Sequence, residues 1–140
     1  MYEESKELVV ETCQKLVAKG FLIGTGGNAS VRVPGQNALA ITPSNYDYLK
    51  MRPEDICILD LDLKLIEGQM KPSIESSLHA AIYANRADAA AVIHTHQIYA
   101  SVFGLIDTPI PALFDEQVRF LGRSVEIIPY APSGLSLIHI

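Results

Sequence analysis

Apolar residues recur at helical spacing near the beginning of the chain. Leu8, Val9 and Leu16 fall on one face of a helix with about 3.6 residues per turn. This spacing predicts a helix over residues 4–19, and Gly20 supplies the residue type that often ends a helix. The first element is therefore expected to be an amphipathic helix that packs one face on a core.

Alternating apolar and polar positions follow, as in strands with one buried face. Residues 29–33 and 38–42 predict two strands joined by a turn at 34–37, an arrangement typical of a β-hairpin. Residues 56–61 and 63–67 predict a second pair of strands. The first half of the chain is therefore expected to form much of a sheet.

The second half of the chain alternates helices with strands. We predict a helix over 75–86, a strand over 89–94, a helix over 97–103 that ends at Gly104, and a strand over 124–129. The predicted inner face of the helix over 75–86 comprises Leu78, Ala81 and Ile82. Because 89–94 is continuously apolar up to its last residue, this strand is expected at the centre of the sheet. The elements together predict an α/β fold, a sheet flanked by helices.

Composition narrows the class of protein. The 140 residues are 49% hydrophobic and carry a formal net charge of −5. This suits one folded domain and argues against nucleic acid as a partner, because phosphate neutralisation needs clustered cations. No apolar run reaches the roughly 18 residues of a membrane span, and the acidic start differs from a secretory signal. We therefore expect a cytoplasmic protein without membrane association, in which Cys13 and Cys57 are reduced thiols.

His94 and His96 form a His-x-His pair at the end of the predicted strand. Alternate residues of a strand point to the same face, so two imidazoles at this spacing can converge on one Zn²⁺. The alternative is a pair of ordinary hydrogen-bonded histidines at a strand end. The spacing alone favours that alternative, because the motif is short.

Glu75 lies at the beginning of the predicted helix over 75–86, two residues after Ser73, the predicted N-cap. In the first turn the helix dipole favours the carboxylate form. Taken alone, the position favours a helix-stabilising carboxylate over a catalytic one. His79 lies four residues further along the same face, and we expect it to support the helix or the site and not to bind a metal.

Neutral hydrogen-bond donors are concentrated in a glycine-rich loop at 24–28, in the segment 42–45 and at Ser73. Backbone N–H groups of such a loop, with Asn, Ser and Thr side chains, can hold a phosphate dianion without a lysine. The spacing is neither that of the P-loop nor that of the dinucleotide-binding fingerprint. Each of these segments, taken singly, is more often a plain turn.

Four motifs occur in one order: Gly-Thr-Gly-Gly-Asn-Ala-Ser-Val-Arg, Ile-Thr-Pro-Ser, Lys-Pro-Ser-Ile-Glu-Ser-Ser-Leu-His and Ala-Val-Ile-His-Thr-His. This combination resembles the class II aldolase/adducin N-terminal domain family, especially its L-fuculose-phosphate aldolase-like enzymes, over residues 7–134. The resemblance implies a three-layer α/β/α sandwich with a mixed, largely antiparallel central sheet, a bound Zn²⁺ and a homotetramer. It also implies retro-aldol cleavage of a ketose phosphate such as L-fuculose 1-phosphate, in carbohydrate metabolism.

The resemblance also assigns roles to particular residues. His94 and His96 correspond to two of the family's three zinc-binding histidines. Glu75 corresponds to the carboxylate that approaches the metal and moves the substrate proton. The phosphate-binding positions correspond to Gly27, Asn28, Ser44, Asn45 and Ser73. In the implied mechanism zinc is a Lewis acid, and Glu75 exchanges the proton of the carbon whose C–C bond breaks.

The chain departs from the family pattern at four places. The third zinc-binding histidine has no counterpart, and His139 is not assigned to that role. Asn45 replaces a frequent glycine, and Ile74 replaces a serine that donates to phosphate. Asp115 lies where the aldolases have a tyrosine acid contributed by a neighbouring subunit. These departures bear on whether the substrate is phosphorylated, on the sugar and on the protonation step.

The last six residues, 135–140, read Leu-Ser-Leu-Ile-His-Ile, which resembles a translated transposon end from DNA sequencing libraries. We therefore expect a truncated class II aldolase-type domain over 1–134, a non-native tail over 135–140, and a natural protein that continues beyond Gly134. The alternative is a genuine short C-terminal strand. The chain as written is expected to be inactive by itself, because it lacks the third metal ligand.

Other functions fit the same motifs. A ribulose-phosphate 4-epimerase uses the same zinc chemistry but typically carries Asp at the position of Glu75, so Glu75 favours an aldolase. A sugar-phosphate dehydratase and a decarboxylating 3-oxo-tetronate-type enzyme stay open. The alternative of a different class is an adducin-like, metal-free binding module. The joint presence of Glu75, His94 and His96 argues against that module, since a scaffold has no need of all three.

Overall fold

A computed structural model describes residues 1–129 of the chain. Within this part the chain forms two compact units, residues 1–95 and the segment that begins at His96. The predicted domain end at Gly134, the tail over 135–140 and His139 lie outside the described residues. Of the helices within 1–129, none combines the length and the apolar character that a membrane crossing requires.

The first unit is built on a five-stranded sheet. Its strands are β1 (Asn28–Arg32), β2 (Ala38–Ile41), β3 (Cys57–Asp60), β4 (Leu65–Glu67) and β5 (Ala91–His94). The order across the sheet is β4-β3-β2-β1-β5, and each pair of neighbours is antiparallel. The register places Asn28, the first residue of β1, directly opposite His94, the last residue of β5.

A different helix covers each face of this sheet. Helix α1 (Glu3–Ala18) packs Val9 and Cys13 into the core on one face, and α2 (Ser76–Asn85) packs Tyr83 against the other. Side chains alternate between the faces of a strand, so Val31 joins the α1 side while its neighbour Ser30 contacts α2. This arrangement confirms the predicted α/β class with helices on both faces of an antiparallel sheet.

The strand pairs predicted in the first half of the chain are confirmed: β1 pairs with β2 and β3 with β4, both as antiparallel neighbours. A short 3₁₀ turn over Pro53–Asp55 leads into β3. Cys13 and Cys57 are buried free thiols, as predicted, and belong to separate core clusters. Burial raises their pKa values to about 12 and about 11, so both thiols are protonated at neutral pH.

The second unit contains α3 (Ile98–Leu105) and α4 (Asp115–Leu121). The predicted helix end at Gly104 is wrong, because α3 continues through that residue. The predicted strand over 124–129 is also wrong, since only an isolated bridge joins Ile110 to Val125. Helix α4 was not predicted, because its seven residues are too short to show a helical period.

Two predictions about burial in the first unit are wrong. Strand β5 is not central: among the described strands it lies at an edge of the sheet, and Ala91 and Ile93 are exposed. A continuous apolar run therefore does not identify a central strand here. The inner face of α2 is also different from the predicted one, and its buried residues are Ser76, His79, Ala80 and Tyr83. Polar side chains occupy this face because His79 and Tyr83 both bond to Ser30 of β1.

Candidate functional site

Glu75 and His94 come together where β1 and β5 end beside the beginning of α2. The Nε2 atom of His94 lies 3.4 Å from Oε2 of Glu75. The same carboxylate oxygen accepts a 2.6 Å hydrogen bond from Nδ2 of Asn28. The side chains of Glu75 and His94 are 17% and 28% exposed, so both are accessible from solvent while being held by the fold.

Local hydrogen bonds before α2 position Glu75. The Glu75 N–H donates to Oγ of Ser73 at 3.3 Å, and Oγ of Ser76 donates to the Ser73 carbonyl at 2.6 Å. Glu75 itself occupies the N-cap position of α2, so the prediction that Ser73 is the N-cap is wrong. The helix begins one residue later than predicted because residues 73–75 form a turn of their own. Glu75 therefore precedes the helix, and its carboxylate is directed to Asn28.

A buried histidine lies behind this pair. His79 is fully buried, with Nε2 2.5 Å from Oδ1 of Asn28 and Nδ1 2.7 Å from Oγ of Ser30. Ser30 is also 2.8 Å from the hydroxyl oxygen of Tyr83. The pKa of His79 is lowered to about 4, first by burial and then by the nearby His94, against the opposing effect of Glu75. The ring is therefore neutral at physiological pH.

Gly27 of the glycine-rich loop lies against the end of β5. Its φ of +81° is in the left-handed region, and a Cβ there would lie 2.6 Å from the carbonyl oxygen of His94 and 2.5 Å from Leu22 Cδ2. The Tyr48 hydroxyl donates to the Gly27 carbonyl at 2.5 Å. Only glycine fits at this position without displacing a neighbour, so the loop is seated directly against the end of β5.

The three segments predicted to bind phosphate lie together in the first unit. Oγ1 of Thr25 donates to Oδ1 of Asn45 at 2.9 Å, which joins the glycine-rich loop to the segment 42–45. The Ser44 N–H donates to the Lys71 carbonyl, and the Ser73 N–H donates to the Thr42 carbonyl. The segment before α2 is thereby paired with 42–45.

Two of the positions where the chain departs from the family have distinct surroundings. Asn45 has a φ of 54°, a left-handed conformation that Asn tolerates better than most residues. The Ile74 side chain is exposed. The Asn28 side chain, by contrast, is buried and hydrogen-bonded to both Glu75 and His79.

His96 and Asp115 belong to the second unit. His96 is its first residue and is exposed, and Asp115 is the first residue of α4. Over residues 1–129 no group of three His, Cys, Asp or Glu side chains has the geometry of a metal site. Of the predicted metal-binding and catalytic residues, the first unit thus brings Glu75 and His94 together.

Sequence reasoning missed Ser30 and Tyr83 as parts of the site. Two signals point to them. Ser30 follows Asn28 by two residues in a strand, so both side chains lie on one face. Tyr83 follows His79 by four residues in a helix, so these two also share a face.

Comparison with known proteins adds independent information. Residues 7–139 match the family described as Class II Aldolase and Adducin N-terminal domain. A 5-deoxy-D-ribulose 1-phosphate aldolase of Bacillus thuringiensis serovar kurstaki is 36% identical over 134 residues, which are 96% of this chain and 62% of that protein. A probable L-ribulose-5-phosphate 4-epimerase of Mycoplasma pneumoniae is 37% identical over 114 residues, 81% of this chain and 47% of that protein.

Among solved structures, an L-fuculose 1-phosphate aldolase superposes with a TM-score of 0.88 at 33% sequence identity. The match covers 94% of this chain and 62% of that one. The chain therefore spans about three fifths or less of the length of these relatives.

Proposed function

Because the chain belongs to the Class II Aldolase and Adducin N-terminal domain family, we propose that the protein is an aldehyde-lyase that cleaves a ketose phosphate by retro-aldol chemistry. The observation that carries this proposal is the Glu75–His94 pair, held by Asn28 next to three loops rich in neutral donors. A carboxylate and an imidazole in contact supply a proton-transfer group beside a metal ligand.

A divalent zinc ion fits the donor types of this site. Catalytic zinc is bound by imidazole nitrogen and carboxylate oxygen at about 2.0–2.2 Å, and two ligand atoms of one tetrahedral ion are then about 3.3–3.5 Å apart. The 3.4 Å between Nε2 of His94 and Oε2 of Glu75 agrees with that spacing. We assign His94 and His96 as metal ligands, with Glu75 able to approach the metal. His79 is excluded because both of its ring nitrogens are engaged.

Glu75 is assigned as the catalytic acid and base. When bound, zinc supplies Lewis-acid polarisation of the substrate's carbonyl and hydroxyl oxygens. In the cleavage direction Glu75 gives a proton to the carbon that has lost its C–C bond, and in synthesis it removes that proton. The contacts of Asn28 and His94 both fall on Oε2, which leaves Oε1 to exchange the proton.

The substrate phosphate is assigned to the paired loops. The proposed contacts come from Gly27, Asn28, Ser44, Asn45 and Ser73. Neutral donors and backbone N–H groups suffice for a dianion, and the Gly27 geometry brings this loop close to His94. Asn28 is assigned by its place beside Gly27, and its side chain bonds to Glu75 and His79.

An assay on the complete gene product tests the proposal. The protein loaded with zinc is incubated with L-fuculose 1-phosphate, 5-deoxy-D-ribulose 1-phosphate and L-ribulose 5-phosphate. Cleavage of a 1-phosphorylated ketose gives dihydroxyacetone phosphate and an aldehyde, both of which are measurable. Conversion of L-ribulose 5-phosphate without cleavage would identify an epimerase. A protein that binds no zinc and changes none of these sugars would be an adducin-like binding module.

We further propose that the active protein is a cytoplasmic homotetramer. The proposal follows from family membership and from the family resemblance of the motifs. Sedimentation analysis of the complete gene product tests the subunit number, and a monomer that cleaves sugar phosphate at full rate would contradict it. Fractionation of cells tests the location.

A further inference from the structure

The hydrogen bonds behind Glu75 have a direction that follows from the chemistry of the groups. An ionised carboxylate only accepts, so the Asn28 atom that faces Glu75 is the amide nitrogen, 2.6 Å from Oε2. The Asn28 carbonyl oxygen therefore faces Nε2 of His79, 2.5 Å away. An amide oxygen also only accepts, so Nε2 of His79 carries the proton.

The hydrogen bonds at Nδ1, on the other side of the His79 ring, run in the same direction. With the proton on Nε2, a neutral imidazole accepts at Nδ1, and Oγ of Ser30 donates to it at 2.7 Å. Oγ of Ser30 then accepts from the hydroxyl of Tyr83 at 2.8 Å. We name Tyr83, Ser30, His79 and Asn28 the buried hydrogen-bond chain.

Because its members are buried, the buried hydrogen-bond chain keeps one direction of donors and acceptors. His79, Ser30 and Tyr83 are 0%, 1% and 2% exposed, and no buried side-chain polar atom of the described residues lacks a partner. Water is therefore not at hand to replace a member, so a buried donor or acceptor that loses its partner stays unpaired and destabilises the fold. A proton on Nδ1 of His79 would make Nε2 an acceptor. The Asn28 amide would then turn its nitrogen to His79 and its oxygen to the carboxylate of Glu75.

We infer that His79 is a positioning residue, which orients the Asn28 amide so that its NH₂ group faces Glu75. Ser30 can accept from Tyr83 and donate to Nδ1 of His79, which suits the tautomer that this task requires. The inference rests on the proposed function only in treating Glu75 as the group that exchanges the substrate proton. A carboxylate that faces an amide oxygen loses a donor and meets an acceptor, so its position changes.

Kinetics of the complete, zinc-loaded protein test the role of His79. His79→Leu removes the donor, and we expect kcat to fall about 10- to 100-fold with KM changed by less than about 2-fold. His79→Gln can place an amide N–H near the position of Nε2, and it is expected to restore kcat to within about 5-fold of the natural protein.

A matched control separates positioning from loss of packing. Leu59→Ala removes a buried side chain from the same core cluster as Tyr83 and should lower stability with kcat unchanged. Equal losses of kcat in both His79 variants, in proportion to their losses of stability, would overturn the inference.

The tautomer of His79 provides a readout that needs no sugar-phosphate cleavage. Long-range ¹⁵N–¹H NMR of the histidine-labelled complete protein at neutral pH should show the Nε2–H form. Asn28→Ala, which keeps the His79 ring but removes the acceptor of its Nε2–H, should shift the ring toward a mixture of tautomers, whereas Tyr83→Phe should keep the Nε2–H form because the Ser30 hydroxyl can then donate only to Nδ1. These variants also decide the question if His79→Leu does not fold.

An Nδ1–H tautomer or a protonated ring in the natural protein would overturn the inference, even if the aldolase assay succeeds. The expected tautomer in a protein that cleaves no sugar phosphate would support the orientation of Asn28 while the proposed function fails.

Discussion

At the scale of single residues, Glu75 combines access with restraint. Its carboxylate is partly exposed, yet its backbone N–H bonds to Ser73 and its Oε2 contacts Asn28 and His94. A group held by three polar neighbours loses little conformational freedom when a substrate binds. This is the arrangement expected of a proton-transfer residue that has to reach one particular carbon.

Glu75→Gln should leave zinc bound while lowering kcat by about 100-fold or more, because glutamine keeps the shape but cannot exchange the proton. Turnover and metal content of the complete protein check this outcome. Glu54→Gln, which changes an exposed carboxylate on the 3₁₀ turn, is the control and should keep full turnover. Unchanged turnover in Glu75→Gln would remove Glu75 from the mechanism.

Gly27→Ala should destabilise the protein through two separate effects. The left-handed φ disfavours alanine, and the new methyl would meet Leu22 and the His94 carbonyl at 2.5–2.6 Å. Gly35→Ala is the matched control, since Gly35 has a φ of +70° and a methyl group added there would have no atom within 4 Å. We expect Gly27→Ala to lose about 1–3 kcal/mol more than Gly35→Ala in urea unfolding. Equal losses would show that the loop is not seated against β5.

At the scale of elements, local patterns predicted α1 and the paired strands well. Each of these elements has a repeated spacing of apolar residues that depends only on its own neighbours. The edge position of β5 was not predictable, because a run of apolar residues says nothing about which strands lie beside it. The buried face of α2 was missed for another reason. Its core-facing positions include His79 and Tyr83, whose polar atoms are satisfied by residues more than 45 positions away in sequence.

The candidate site shows the same division. The loops, Glu75 and His94 could be proposed as a site from the sequence only because four motifs occur in one order, since each motif alone favoured a plain turn, a helix-stabilising carboxylate or ordinary histidines. The bonds that Asn28 makes to Glu75 and His79 were not, since they depend on how α2 is placed on β1.

Burial of the His79 ring between α2 and β1 should make the free energy of unfolding depend on pH. The pKa of His79 is about 4 in the folded protein against 6.5 as its ordinary value. Between these two values the unfolded chain binds the proton and the folded protein does not, so stability is lost as pH falls from about 6.5 toward 4. Well above pH 6.5 His79 is neutral in both states and costs the folded protein nothing. At pH 5 the free energy of unfolding should be lower by about 2 kcal/mol.

Urea unfolding of the complete protein at pH 7.5 and pH 5 measures this change. His79→Gln has no titrating ring, so its loss of stability between the two pH values should be smaller by that amount. An identical loss in the natural protein and in the variant would contradict the assignment.

At the scale of the whole molecule, the sheet with a helix on each face is the scaffold that holds the candidate site at one corner of the first unit. The end of β5, the beginning of β1 and the turn before α2 meet there, and the loops assigned to phosphate lie beside them. The family match extends over residues 7–139, so the same scaffold is shared with enzymes that act on different sugars. If the proposed function holds, substrate choice belongs to side chains at this corner, among them the exposed Ile74.

Removal of metal should abolish the cleavage activity of the complete protein, because the proposed chemistry needs a Lewis acid at the substrate oxygens. Dialysis against a chelator followed by return of Zn²⁺ should remove and then restore turnover. His94→Ala should lower the bound zinc measured by atomic emission. Full turnover after chelation would contradict the metal assignment.

The Asn28 amide prevents proton transfer between Glu75 and His79. A primary amide neither releases an N–H proton nor takes one on its oxygen at ordinary pH, so it transmits orientation but conducts no proton. The buried hydrogen-bond chain therefore insulates Glu75 from the interior. In the proposed mechanism, a proton that Glu75 takes from a substrate has no exit through His79 and Tyr83, and it stays on the solvent side of the carboxylate until it returns to carbon or escapes to water.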